Sequence, residues 1–310
     1  EPLTDDTVFE LASVSKAFTA MGIMILQEKG KLDYDDTIDH FVPDFPYQHR
    51  TIHQLLTHTS GLPDYIKLFD EHWDKTKVAT NQDVLDQLQQ HQPKPLFQPN
   101  ERYEYSNTGY VLLASIIECI TDVSFSDFMK QNIFDVLDME RTLVYNGRYT
   151  GKKISQYAYG HVYSPQLDQY IIPDHSKEHD YVIYLDGIQG DGVVNSTMND
   201  LAKWDRALYT EKLVKKETLQ KAFTPIVKID HERSSYGYGW KINESNDTGK
   251  VVFHSGSWPG YRTWLSRYID QDKTIIYLTN VEKDRQWTEM MMRTIEDILF
   301  GRPMSFPRTF

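Results

Sequence analysis

Cysteine is the scarcest residue in this chain: Cys119 is the only one in 310 residues. A lone thiol excludes an intrachain disulfide. It lies in the apolar helical run Tyr110 to Ile120, where a buried structural thiol is expected rather than a reactive one. Long apolar runs are missing too. That same stretch is too short to cross a bilayer, and no longer one exists, so no transmembrane segment is expected. Positive charge is in deficit, with 33 Lys and Arg against 45 Asp and Glu and a net charge of −12. Phosphate binding needs a basic surface, which argues against nucleic acid as a partner. Internal repeats, low-complexity segments, an initiator Met and a signal-like start are all lacking. Residues upstream of Glu1 are therefore expected, and the compartment and oligomeric state stay open.

What is present is an ordinary globular composition, 40% hydrophobic and 25% charged, in a chain long enough for two domains. Ser13 to Lys29 reads as a helix with Phe18, Met21 and Ile25 at helical spacing and Gly30 as its C-terminal cap. Thr51 caps a short helix through Leu55, Leu56 and Thr57. Thr80 with Asp83, Ser124 with Asp127 and Thr197 with Asp200 each mark a helix start, and Asn107 to Thr121 is a further helix. The stretch 141–190 is weakly patterned, with Tyr181 to Leu185 read as a strand. Tyr236–Ile242, Val251–His254, Arg262–Ile269 and Thr274–Thr279 read as four strands of an antiparallel meander, with Gly256 to Gly260 as one of its turns. Trp287 to Phe300 closes the chain as a helix. The expected fold is α+β in two parts: residues 1–44 with 191–310 forming a sheet domain, and residues 45–190 forming a mostly helical domain with cleft loops.

Three stretches carry residues fit for chemistry. Ser13 and Lys16 are three apart at a helix start, so they share a face and the amine can reach the hydroxyl. A helix N-terminus favours a developing oxyanion. A serine needs a base, and a desolvated lysine supplies one; alone, the pair reads first as an exposed helix pair. In Tyr105-Ser106-Asn107, a phenolate is a credible base if nearby cations lower its pKa from about 10. Asn107 can hold a lysine amine through its carbonyl and a substrate amide through its NH₂. The alternative is that Tyr105 packs and Asn107 caps the next helix. In His254-Ser255-Gly256-Ser257, small residues let a substrate backbone approach. The Ser257 amide could join that of Ser13 in an oxyanion hole, and His254 could donate a hydrogen bond or relay a proton. His53, His58 and Asp64 hint at a metal site, against which His58 reads better as a structural hydrogen-bonder. Asp191 reads as a cleft or a turn residue.

Together, Ser13-Val-Ser-Lys16, Tyr105-Ser-Asn107 and His254-Ser-Gly256 resemble, in order and spacing, the serine β-lactamase and penicillin-binding protein superfamily. The likeness is to its branch of class C β-lactamases, D-Ala-D-Ala carboxypeptidases, D-aminopeptidases and EstB-type esterases. Leu55 to Pro63, Ser196 to Trp204, Tyr236 to Trp240 and His254 to Gly260 extend the resemblance over nearly the whole chain. It implies an antiparallel sheet with helices on both faces, a helical domain and a site between them. It also implies acylation of Ser13, with Lys16 and Tyr105 managing the proton and Asn107 orienting Lys16 and substrate. Ser13 and Ser257 would supply the oxyanion amides, and no metal or organic cofactor is implied. The substrate would be a small molecule or peptide, and a cell-envelope location is what the family implies. One departure matters: His254 stands where most members carry lysine, so less charge is available for a substrate carboxylate. Arg262 either replaces that charge or is an ordinary salt-bridged arginine. The expected activity is a D-amino-acid peptidase or carboxylesterase. A class C-like β-lactamase and a non-catalytic penicillin-binding or sensor domain are the alternatives.

Overall fold

The computed structural model describes residues 2–230 and 232–304. A short strand, β1 (Phe9–Glu10), runs into a 3-10 turn at Ala12–Val14 and then helix α1 (Ser15–Glu28). Ser13 thus lies in the turn before the helix and Lys16 in its first full turn. Apolar residues surround α1 instead of forming a stripe, and every residue from Ser15 to Leu26 is buried. A helix apolar all round belongs in the interior, and α1 is the central rod of the molecule. Gly30, with φ +65°, ends it as expected.

Of helices α2 (Ile52–Leu56), α3 (Tyr65–His72), α4 (Asn81–His91), α5 (Asn107–Thr121) and α6 (Phe125–Met129), α5 and α6 pack directly on α1, α2 and α4 pack on α5, and α3 packs on α4. Their starts follow the cap residues: Thr51 with Gln54 and Thr80 with Asp83 form capping boxes, and Ser124 accepts from the Asp127 amide. Cys119 departs from expectation. It lies in the last turns of α5, beyond the buried face formed by Leu112, Leu113, Ile116 and Ile117, and its thiol is exposed.

The stretch 141–190 holds β2 (Leu143–Val144), α7 (Gly147–Thr150), β3 (Val162–Ser164), β4 (Gln169–Ile171) and α8 (Tyr181–Tyr184). The last corrects the strand read over Tyr181 to Leu185; a five-residue apolar run fits either period. Strand β5 (Val194–Ser196) pairs with β1 and β2, and α9 (Met198–Ala207) follows its Thr197 cap, then α10 (Lys216–Ala222).

The final third forms β6 (Val227–Lys228), β7 (Ser235–Tyr236), β8 (Lys241–Ser245), β9 (Gly249–Trp258), β10 (Tyr261–Tyr268), β11 (Lys273–Thr279) and α11 (Arg285–Leu299). The six strands lie in the order β11-β10-β9-β8-β7-β6, all antiparallel. Two readings change here. Tyr236 to Ile242 is not one strand but is broken between β7 and β8. Gly239 there adopts φ +77° and approaches α1 so closely that a Cβ would come within 3.0 Å of Ala17 Cα. And Gly256 to Trp258 is not a turn: β9 continues through it, and the hairpin turns at Pro259-Gly260.

One sheet face meets the main core, where Phe18 of α1 stacks on Trp204 of α9 with ring centroids 4.2 Å apart. The other face packs Val251, Tyr268 and Ile275 against Met292 of α11. Arg267 of β10 is fully buried and paired with Asp205 of α9 at 2.6 Å, fixing that helix to the sheet.

Candidate active site

Ser13 is presented by a tightly held turn. Ala12 takes φ +48°, a left-handed conformation that costs an L-residue about 1–2 kcal/mol. The surroundings impose it: the Leu11 amide donates to Val194 O at 2.9 Å, and Thr263 Oγ1 donates to Leu11 O at 2.7 Å. Gly256 of β9 lies against this turn. A Cβ there would sit 2.2 Å from Leu11 O and 2.2 Å from Thr263 Oγ1, so only glycine fits. This contact brings the Ser255-Gly256-Ser257 edge of β9 alongside Ser13. Ser257 itself is exposed, and Ser255 half-buried.

Lys16 is fully buried. Its Nζ donates to Asn107 Oδ1 at 2.8 Å, to the Asp191 main-chain carbonyl at 2.7 Å, and to Ser13 Oγ at 3.4 Å. These three acceptors match the three donors of an ammonium. Burial lowers the Lys16 pKa to about 8, against which the Asp191 carboxylate pulls it up. Asn107 is free for this contact because Ser106 does the capping: its Oγ accepts from the Gly109 amide at 3.1 Å.

Tyr105 opens partly to the surface, with Lys16 Nζ 4.8 Å from its ring centroid. Its pKa is pushed well above the phenol value by burial; the Ser13 hydroxyl lowers it, while Tyr103, Tyr110 and Asp191 add to the rise. The condition for a phenolate base is therefore not met: the phenol is protonated at neutral pH, because burial, with Tyr103, Tyr110 and Asp191 adding to it, outweighs the nearby Lys16 amine. Lys16, near 8, is the more accessible base.

His254 is a packed, hydrogen-bonded histidine on β9. It is buried, its Nδ1 lies 2.8 Å from Ser255 O and its Nε2 3.0 Å from the Tyr236 hydroxyl. Burial, then the Lys16 charge, lower its pKa to about 3. A neutral ring donating from Nδ1 and accepting at Nε2 satisfies both contacts, so His254 braces the site and offers no charge. Arg262 is engaged as well, with Nη2 2.6 Å from Glu282 Oε1 and Nη1 donating to Tyr261 O at 2.9 Å. It does not replace the missing lysine.

Asp191, His58 and Tyr65 border the site, and of these only Tyr65 was not singled out from the sequence. Asp191 supplies a backbone acceptor, and its side chain accepts from Tyr65 OH at 3.0 Å. His58, with φ +60°, accepts the Ser106 amide at Nδ1 at 3.0 Å and is walled by Tyr103, Tyr105, Tyr110 and Tyr236. It is the structural hydrogen-bonder expected, and it fixes the loop that carries Tyr105. His53 instead meets Tyr238 OH at 2.8 Å. Among the described residues no three His, Cys, Asp or Glu side chains converge as metal ligands.

The arrangement is a hydroxyl at a helix start, a buried amine within reach of it, a phenol and a carboxamide. A family profile described as beta-lactamase matches residues 1–294. The chain belongs to the beta-lactamase family. Over 306 residues it is 48% identical to penicillin-binding protein 4* of Bacillus subtilis, covering 99% of this chain and 68% of that protein. It spans only 63% and 54% of the lengths of two more distant curated relatives. Among solved structures, a penicillin-binding protein from Bacillus halodurans aligns with TM-score 0.82 at 27% identity, covering 95% of this chain and 87% of that one. A D-amino acid amidase from Ochrobactrum anthropi, complexed with D-phenylalanine, aligns with TM-score 0.79 at 25% identity, covering 97% and 87%. The beta-lactamase fold is thus the one read from the sequence: helices packed on an antiparallel sheet. No helix of the described residues is long and apolar enough to cross a membrane.

Proposed function

We propose that this chain is a serine hydrolase that cleaves an amide or ester through an acyl-enzyme on Ser13. The observation that carries the reading is Lys16, buried without a carboxylate at ion-pair distance and shared among Ser13 Oγ, Asn107 Oδ1 and Asp191 O. Burying an ammonium is costly. An amine with a pKa near 8 beside a serine hydroxyl is the use that justifies it.

In the reaction the neutral Lys16 amine takes the Ser13 proton as Oγ attacks the substrate carbonyl. The new oxyanion is held by the amides of Ser13 and Ser257 at the helix start and the β9 edge. Tyr105, protonated and next to both Ser13 and Lys16, passes a proton to the leaving amine or alcohol. The Lys16 ammonium resupplies Tyr105. Water then attacks the acyl group, giving its proton to Lys16, which returns it to Ser13 Oγ as the carboxylic acid product is released. The Asn107 NH₂ group, unused within the described residues, is left for the substrate amide.

Charge favours one substrate class over another. His254 is neutral, Arg262 is spent on Glu282, and Lys241 is spent on Glu232 at 2.9 Å. No cation beside β9 is free, among the described residues, for a substrate carboxylate. This supports D-amino-acid amides, peptides or small esters over β-lactams, whose carboxylate would go unpaired. The likeness to the D-amino acid amidase agrees in direction. A class C-like β-lactamase is disfavoured by the same charges, and a non-catalytic binding domain by the cost of keeping Lys16 buried. The test is a fluorophosphonate or fluorescent penicillin probe on wild type and Ser13→Ala, followed by nitrocefin, p-nitrophenyl esters, D-Ala-D-Ala peptides and D-aminoacyl anilides. Labelling that depends on Ser13, with amide or ester turnover above nitrocefin turnover, is expected. Equal labelling of Ser13→Ala refutes the mechanism.

A further inference from the structure

Two of the three acceptors around Lys16 come from segments far apart in sequence: Asn107 at the start of α5, and Asp191 in the loop before β5. Tyr65, the first residue of α3, joins them. Its amide donates to Thr108 Oγ1 at 3.0 Å, next to Asn107, and that hydroxyl donates to Pro63 O at 2.7 Å. Its hydroxyl donates to Asp191 Oδ2 at 3.0 Å, and its side chain is buried. The Asp191 segment is pinned to α1 as well: Thr19 Oγ1 donates to Gly190 O at 2.6 Å, and Val194 N donates to Ser15 Oγ at 3.0 Å. Gly190 and Val193 both take positive φ, +105° and +67°, to let this loop reach the helix. A carboxylate placed here has no structural need of its charge, since the contact to Lys16 is made by the carbonyl.

We propose that Tyr65 and the Asp191 carboxylate form a positioning pair for Lys16: Tyr65 fixes the two loops that grip the amine, and the carboxylate holds the amine charged in the resting site. The proposal rests on Lys16 being the base for Ser13. Asp191 meets Lys16 Nζ only through its main-chain carbonyl, and Tyr65 meets the carboxylate behind it. Tyr65 is a permanent donor, because burial first, then Asp191, push its own pKa well above the phenol value. Asp191 is raised by burial and lowered by Lys16, then by Tyr65. The other titratable groups around Lys16 are Tyr105 in the loop before α5, Tyr110 of α5, His58 just after α2, His254 of β9 and Asp64, the cap of α3. Both histidines have lowered pKa values, His254 near 3, so neither competes with Asp191 for this role.

The test separates charge from geometry. In Asp191→Asn the carbonyl and an acceptor for Tyr65 remain while the charge is gone. The Lys16 titration, followed by lysine ¹³Cε NMR with the signal assigned by its loss in Lys16→Met, is expected to move to lower pH, because the opposite charge that raises it is gone. The acidic limb of the acylation rate is expected to move with it, so relative activity at pH 6.5 rises. In Tyr65→Phe the charge stays but one hydrogen bond is lost. The rate is expected to fall about 2–10-fold at every pH with the titration unmoved. An unmoved Lys16 titration in Asp191→Asn overturns the proposal, as does a Tyr65→Phe rate equal to wild type. A Lys16 signal that moves in a protein the probes never label keeps the pair and removes the acyl-enzyme reading. Labelling with an unmoved signal does the reverse.

Discussion

Replacing Lys16 by methionine separates its catalytic role from its structural one. A lysine titrating near 8 instead of 10.5 carries about 3 kcal/mol of penalty for keeping it charged in the fold. The sign follows from linkage. Below pH 8 the residue is charged both folded and unfolded, and the full penalty is present. Between about 8 and 10.5 the unfolded chain binds the extra proton, so stability rises with pH until the penalty is gone. Lys16→Met removes that penalty at pH 7. It also leaves Asn107 Oδ1 and Asp191 O without their donor, at about 1–3 kcal/mol each. The two effects nearly cancel, and the net change in stability is expected within about 3 kcal/mol. Acylation behaves differently. Losing a positioned base costs about 10²–10⁴ in rate, or roughly 3–5.5 kcal/mol of barrier. Stopped-flow labelling with a fluorescent penicillin or a p-nitrophenyl ester, beside urea unfolding at pH 7, reads both. A variant that stays within tenfold of wild type in acylation, or one that is unfolded at pH 7, would refute the reasoning.

Tyr105→Phe should slow acyl transfer about 10²-fold while leaving the acidic limb near pH 8 in place, because the phenol acts as a donor and Lys16 sets the limb; a pH–rate profile checks this. Gly256→Ala should destabilise the fold by about 1–3 kcal/mol and cut labelling of Ser13, since the new Cβ strikes Leu11 O and displaces the turn; unfolding midpoints and probe labelling are the measurements. Asp205→Ala should cost about 3–5 kcal/mol by stranding the buried Arg267 charge, read as a lowered urea midpoint. Arg262→Ala should change KM for carboxylate-bearing substrates less than twofold, given its engagement with Glu282.

Helix starts were the most legible features because their signals are local. Thr80 with Asp83, Thr197 with Asp200 and Ser124 with Asp127 satisfy orphan amides through their own side chains, and each helix begins where the pair sits. Strand ends were less so. Gly256 looks like a turn residue, yet it lies within β9 because a distant segment, the Leu11 turn, needs the space of its missing Cβ. The site divides in the same way. Ser13, Lys16, Tyr105 and Asn107 carry side-chain chemistry at readable spacings, and the fold brings them together. The Asp191 carbonyl has no side-chain signature. The protonation of Tyr105 and His254 depends on their burial in the assembled fold, against His58 for Tyr105 and Tyr236 for His254, which no local pattern encodes.

The central claim is that Ser13 is made nucleophilic by Lys16. The most direct test is the pH dependence of the acylation rate constant, measured by burst kinetics on wild type, with the labelled residue located by peptide mass mapping. The account predicts a single label on Ser13 and a rate that rises with pH through a midpoint near 8. A label elsewhere, or a rate that is flat from pH 6 to 9, would contradict it.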